Sequence, residues 1–139
     1  MNLSERIAHL NEKSQGTLMG CLNISFVKYS EGCLTAEMPV NINTIQPFGI
    51  LHGGATMALV ESVGGALSFL EIDSKLEVPV GIEVNGNHLK SVKEGKVTAV
   101  ARFLRKGNSI HVIDVRVTDD FENLISVGRI TNKIIKREV

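Results

Sequence analysis

The sequence has no tryptophan, one tyrosine and five phenylalanines, so aromatic residues make up only 4% of its 139 positions. A chain this poor in rings has little with which to stack nucleic-acid bases. It has no surplus of charge either. Fifteen Lys plus Arg balance fifteen Asp plus Glu, whereas nucleic-acid-binding domains carry a basic excess. Only a small basic rim for a phosphorylated ligand stays open. Two cysteines are present, Cys21 and Cys33. They make neither a CxxC pair nor a disulfide framework. They read as two buried thiols on neighbouring strands in a reducing compartment, without the basic surroundings that mark a nucleophile. No serine stands in a GxSxG context, no phosphate-binding P-loop occurs, and no cluster of His, Cys and carboxylate has metal-ligand spacing. The stretch MNLSERIAHLNEK is charged through its first turns and lacks the apolar segment of a signal peptide. A cytoplasmic location is the expectation.

What remains is an ordinary globular composition, 43% hydrophobic and 22% charged, in a chain long enough for one domain spanning residues 1–139. Residues 4–13 pattern as a short amphipathic helix with Ser4 as its cap and Ile7 and Leu10 on one stripe. Gln15-Gly16 ends it and residues 17–20 connect onward. β-branched and aromatic residues dominate 21–29. Ser30-Glu31-Gly32 turns the chain into a second strand over 33–40, where Leu34, Ala36 and Met38 share a face. After a long apolar helix come four strand-like runs, 78–89, 96–104, 110–118 and 124–135, joined by short turns. Alternation of helices and strands, the mark of a parallel α/β fold, is absent. The pattern is α+β: an antiparallel sheet of about six strands curled around one long buried helix, with a short N-terminal helix. Such a sheet has open edges, and pairing two copies edge to edge makes a dimer the smallest expected assembly.

The chemistry concentrates in Asn43 to Leu70, NTIQPFGILHGGATMALVESVGGALSFL. A turn at Gln46-Pro47-Phe48-Gly49 leads to His52-Gly53-Gly54, where a helix begins. Apolar residues fall on all sides of that helix, so it is expected to be buried. Glu61 is its one charge and interrupts the only run long enough to suggest a membrane span. A carboxylate at a helix–sheet interface can be a structural hydrogen-bond acceptor, and His52 can merely bond the turn. A helix N-terminus, however, offers free N–H groups and partial positive charge, and glycine lets a ligand approach that backbone. This is equipment for a developing oxyanion. Glu61 follows His52 by nine positions, about two and a half turns and about 13 Å along the axis. One small reaction centre can hardly touch both within one chain. A site shared by two subunits can, with the helix start of one facing Glu61 of the other.

The stretch QPFGILHGGATMALVESVGG, with a second block VGIEVNGNHLKS at residues 80–91, resembles the hotdog-fold acyl-CoA thioesterases of the 4-hydroxybenzoyl-CoA thioesterase and phenylacetate-degradation type. It is most similar to the small bacterial enzymes acting on aroyl-CoA or aryl-carrier-protein thioesters. The resemblance implies the hotdog fold and hydrolysis of acyl-CoA thioesters, with an aryl or medium-sized acyl group and no cofactor beyond the CoA of the substrate. It implies Glu61 as general base or nucleophile, and the Gly53 N–H as the donor that polarises the thioester carbonyl. His52 and Gln46 would position the carbonyl, the leaving thiol or water. Gly81, His88, Lys90 and Ser91, together with the loop Lys106, Gly107, Asn108 and Ser109, match regions that hold the CoA portion. Dimers or tetramers are implied, with neither nucleic acid nor membrane as partner. Gly65 departs from the pattern, because relatives carry Ser or Thr one turn after the glutamate. Thr56 or Ser62 are other sources of that hydroxyl. Two further readings use the same fold: a hydro-lyase, which would place His and Glu in other motifs, and an acyl-CoA-binding module without catalysis. A carrier-protein thioester is the alternative substrate.

Overall fold

The computed structural model describes residues 1–138. Helix α1 (Leu3–Ser14) and the single turn α2 (Leu18–Cys21) lead into strands β1 (Ser25–Ser30) and β2 (Cys33–Pro39). Helix α3 (Gly53–Leu70) follows, and then strands β3 (Glu77–His88), β4 (Lys96–Lys106), β5 (Ile110–Thr118) and β6 (Leu124–Lys136). The strands form one antiparallel sheet in the order β1-β2-β4-β5-β6-β3. The expected α+β fold of six strands around a central helix is present, with three local differences.

The first helix is capped by Asn2, not Ser4. Asn2 accepts from the Glu5 N–H at 2.9 Å while the Glu5 carboxylate accepts from the Asn2 N–H at 2.8 Å. This reciprocal pair satisfies two helix-end donors, and a lone Ser4 hydroxyl would satisfy one. The expected connector after it contains α2, and the first strand starts four residues later than the β-branched pattern suggests. Cys21 therefore lies on a helix and is exposed, while Cys33 is half-buried at the start of β2. The expectation of two buried thiols on neighbouring strands fails because Cys21 has no strand to sit on.

The third correction concerns α3. Leu59, Val60, Val63, Gly64 and Leu67 are buried against the sheet, but Glu61 is exposed within the chain, and Met57, Ser62, Gly65 and Phe69 are only half-covered. The helix has the length and composition of a membrane span, yet its buried face is used on the strands. A methyl group at Gly64 would overlap Ile130 of β6, so the lack of a side chain there lets the helix lie close to the sheet. Period-two alternation supplies the facing wall: Leu34, Ala36 and Met38 of β2, Val97, Ala99 and Ala101 of β4, and Ile113, Val115 and Val117 of β5 are all buried. Strand β3 lies at one end of the sheet with one edge unpaired, and eight of its twelve residues are exposed.

Polar groups join helix to sheet near the C-terminal end of α3. His111 of β5 is 2% exposed and its Nδ1 lies 3.0 Å from the Ser68 hydroxyl. His111 thus faces the helix as a structural residue. Burial, with help from the nearby Lys106 charge, pushes this imidazole below its ordinary range. Glu71 caps the same region. Burial works against its ionisation, but Lys106 at 2.5 Å, the Gly32 N–H at 2.7 Å and the Tyr29 hydroxyl at 2.9 Å outweigh that and hold the carboxyl low. The Tyr29 hydroxyl, desolvated and beside that carboxylate, is pushed up to about 12.

The sign of the His111 shift fixes a pH window. The unfolded chain takes up a proton near the free-imidazole value of about 6.5 and the folded chain resists it, so stability is present above that value and is lost as pH falls below it. Loss from Glu71 begins only in the ordinary carboxylate range. Urea denaturation at steps between pH 7.5 and 5.5 is expected to show a falling midpoint for wild type and a flatter one for His111→Asn. Equal slopes would remove His111 as the cause.

Candidate active site

The approach to α3 is a closed loop. Thr44, buried, donates to the Pro39 carbonyl at 2.8 Å and accepts from the Asn41 N–H at 3.0 Å. An isolated bridge joins Ile45 to Leu51, and between them Gln46 N–H donates to Ile50 O and Gly49 N–H to Gln46 O, both at 2.9 Å. Gly49 takes φ +77, which a side chain would resist. The Gln46 side-chain oxygen accepts from the Phe48 N–H inside this turn. Its two amide donors have no partner among the described residues.

His52 is the N-cap of α3. Its Nδ1 accepts from the Gly54 N–H at 2.7 Å, so a neutral ring carries its proton on Nε2. Its carbonyl accepts from the Ala55 and Thr56 N–H groups at 3.0 and 3.2 Å. The Gly53 N–H is left without an acceptor among the described residues, at the positive end of an eighteen-residue helix. Above it lies His88, at the end of β3, whose Nδ1 is 2.8 Å from the Ser126 hydroxyl. A methyl group on Gly53 would lie 2.6 Å from His88 Nε2. Gln46, Gly53, Thr56, His88, Lys90 and Ser91 surround one cavity of about 340 Å³. The helix start and the first group of candidate CoA-holding residues are thus brought together.

Glu61 does not join them. It sits two turns along α3 at the edge of a separate apolar groove of about 410 Å³, whose walls include Leu10, Leu18, Met19, Phe26, Ala66 and Phe69. Ser62 and Gly65 border the same groove, and a side chain at Gly65 would meet nothing within 4 Å. The Glu61 carboxylate rests on Gly81 of β3, where a methyl group would lie 2.8 Å from Oε1. Gly81 therefore neighbours the carboxylate and does not line the cavity at the helix start. The hairpin Lys106 to Ser109 lies toward the opposite end of α3, with Gly107 N–H donating to Ile110 O at 3.0 Å and Lys106 paired to Glu71.

Two residues of these surroundings escape a reading of the sequence. Ser126 and Asn132 are polar and buried on the inward face of β6. The only signal is that they interrupt an apolar alternation, and that signal does not say what they touch.

The model of the thioesterase superfamily matches residues 48–125, which contain His52, Gly53 and Glu61. The chain belongs to the thioesterase superfamily. It is 37% identical over 126 residues to the 1,4-dihydroxy-2-naphthoyl-CoA hydrolase of Escherichia coli K12, covering 91% of this chain and 92% of that one. A crystal structure of a glutamine-to-alanine mutant thioesterase from Pseudomonas aeruginosa has a TM-score of 0.92 and 38% identity, covering 94% of each chain. Two mutants of one Staphylococcus aureus thioesterase also match at 39% identity. The glutamate-to-alanine form has a TM-score of 0.84 over 86% of this chain and 99% of that one, and the glutamine-to-alanine form 0.82 over 84% and 97%. The architecture is that of hotdog-fold thioesterases, and the protein is a thioester hydrolase.

For this thioesterase, the close packing of Gly53 under His88 gives a direct test. In Gly53→Ala the new methyl must push the His88 ring aside, which disturbs the cavity without touching the core. Thiol release is expected to fall about tenfold or more while the melting temperature changes little. Unchanged turnover would show that the approach at Gly53 is not used.

Proposed function

We propose that this thioesterase hydrolyses acyl-CoA thioesters, with an aryl or medium-sized acyl group, at a site assembled from two subunits. The observation that carries the proposal is a free N–H at the start of α3 in one cavity and a carboxylate at the edge of an apolar groove two turns on. The first is an oxyanion donor and the second a base, and an acyl group suits the apolar groove beside Glu61. A further support is spacing. The glutamine and glutamate replaced in the Staphylococcus aureus structures are fifteen positions apart, as are Gln46 and Glu61 here.

The chemistry follows from the residues. The thioester carbonyl oxygen accepts from the Gly53 N–H, where the helix end stabilises the negative charge that develops. Glu61 takes one proton from a water as the water oxygen bonds to the carbonyl carbon. The tetrahedral intermediate collapses, the C–S bond breaks, and the departing thiolate takes a proton, giving free acid and free thiol. The Gln46 amide donors and the His52 Nε2–H are available to carbonyl, water or thiolate. Lys90, Ser91 and His88 line the route for the CoA portion.

The second subunit comes from the edge of β3. A long strand with one unpaired edge and exposed Val80 and Ile82 is an invitation to pairing. Two copies joined β3 to β3 about a two-fold axis would continue one sheet across the dimer. That axis would set Glu61 of each copy toward the helix start of the other and cover the exposed side of α3.

The test is free-thiol release from benzoyl-, phenylacetyl-, hexanoyl- and octanoyl-CoA, comparing wild type with Glu61→Ala. Wild type is expected to turn over at least one of them, and removal of the base to lower kcat by about 10²–10⁴. No release from any of the four would overturn the substrate class. Release undiminished in the variant would overturn the role of Glu61.

A further inference from the structure

One buried side-chain polar atom among the described residues has no hydrogen-bond partner, the Asn132 side-chain oxygen. Asn132 is 1% exposed, and a buried carbonyl left unpaired weakens the fold unless something else uses it. Its orientation is fixed by the other end of the amide. Nδ2 donates to the Gly64 carbonyl at 3.2 Å and to the Ser68 hydroxyl at 2.9 Å. Reversing the amide would set its oxygen against the Gly64 oxygen, two acceptors face to face.

The unpaired oxygen is next to the proposed base. Asn132 and Gly81 are partners across β6 and β3. The side-chain position that glycine leaves empty at residue 81 is 3.7 Å from Asn132 Oδ1 and 2.8 Å from Glu61 Oε1. Both acceptors therefore face the place a side chain at residue 81 would take, and the Glu61 carboxylate lies over it. Neither an ionised carboxylate nor an amide oxygen can donate to the other. A water has two O–H donors and can serve both.

We propose that Asn132 positions the hydrolytic water, its Oδ1 accepting one O–H while Glu61 accepts the other. The inference rests on the reading of Glu61 as the base. With Glu61 lying on Gly81 the Asn132 oxygen is closed to solvent. Glu61 itself is exposed, and a small swing of its carboxylate away from the glycine admits the water. Holding both hydrogens turns the oxygen lone pairs outward, to the side from which the thioester carbonyl arrives. Glu61 then takes the proton it holds as the O–C bond forms. The hydrogen on Asn132 stays with the new carboxyl group, the C–S bond breaks, and the leaving thiolate takes up the proton that Glu61 gives back. The arrangement does without a hydroxyl on α3 one turn after Glu61, where this chain has Gly65.

The experiment measures kcat and KM for Asn132→Ala with whichever of the four acyl-CoAs wild type turns over fastest. A drop in kcat of about tenfold or more with KM within about threefold is expected, since orientation and not binding is lost. Ser68→Ala removes a partner of the same amide from its donor side, and its kcat is expected to stay within about threefold of wild type, which separates water positioning from packing. Gly65→Ser, for which there is room, sets a hydroxyl one turn from Glu61 and is expected to restore most of the lost kcat in the Asn132→Ala background. Should Asn132→Ala fail to fold, Asn132→Ser is measured in its place. Wild-type kcat in the Asn132 variant, equal losses in the Asn132 and Ser68 variants, or no recovery with Gly65→Ser would each overturn the proposal. A wild type inactive on all four thioesters would instead overturn the function on which it rests.

Discussion

A straight α-helix spaces its residues at a fixed rise, and that constraint shapes this molecule. The Gly53 N–H and the Glu61 side chain are eight residues apart on α3, about 12 Å along the axis at about 1.5 Å per residue. Packing enforces the separation. Leu59, Val60, Val63 and Leu67 are sealed against the sheet, and Gly64 brings the helix close to Ile130. The helix can neither bend nor slide to bring donor and base together. Two separate concavities accordingly flank this helix, one of mixed polar and apolar lining at its start and an apolar one beside Glu61. The proposed two-fold partner would reconcile that separation with chemistry in which both groups act at one carbonyl.

The glycines divide their work along the same helix. Gly53 makes room beneath His88, and Gly81 makes room beneath Glu61. In both places the missing side chain belongs to the site and not to a turn. Around the far end of α3 the polar groups are mutually satisfied: Glu71 with Lys106, Tyr29 and Gly32, and His111 with Ser68. That end is a structural clasp. The contrast with Asn132, buried nearby with an oxygen unpaired, is what marks the Glu61 end as a place where a further molecule belongs.

Most of the fold was legible in the sequence because the strands alternate cleanly and the turns carry Gly, Asp and Asn. The run Ile110–Thr118 matches its strand end to end, since His111, Ile113, Val115 and Val117 all point inward. The candidate site residues drew notice in the sequence because a turn, a glycine pair and a lone carboxylate stand out in an apolar stretch. What the sequence hid was set by tertiary contact. An all-apolar helical wheel suggests burial on every side, but the sheet covers only one face of α3, so Glu61 is exposed in the single chain. Asn2 outcompetes Ser4 as a cap only because Glu5 reaches back to it. Cys21 belongs to a turn of helix too short to leave a periodic signal. Asn132 looked like one polar residue in a strand, and its meaning depends on Gly81 across the ladder, fifty-one positions away in sequence.

Mixed dimers give the most direct measurement of the shared site. Glu61→Ala chains and Gln46→Ala chains, each inactive alone, are unfolded together, refolded as a one-to-one mixture, and assayed for thiol release. Each mixed dimer would hold one site with an intact helix start from one copy and an intact Glu61 from the other. Recovery to about one quarter of wild-type turnover is the expected result for random pairing in a two-fold dimer. A mixture no more active than its two components would contradict a site built from two subunits.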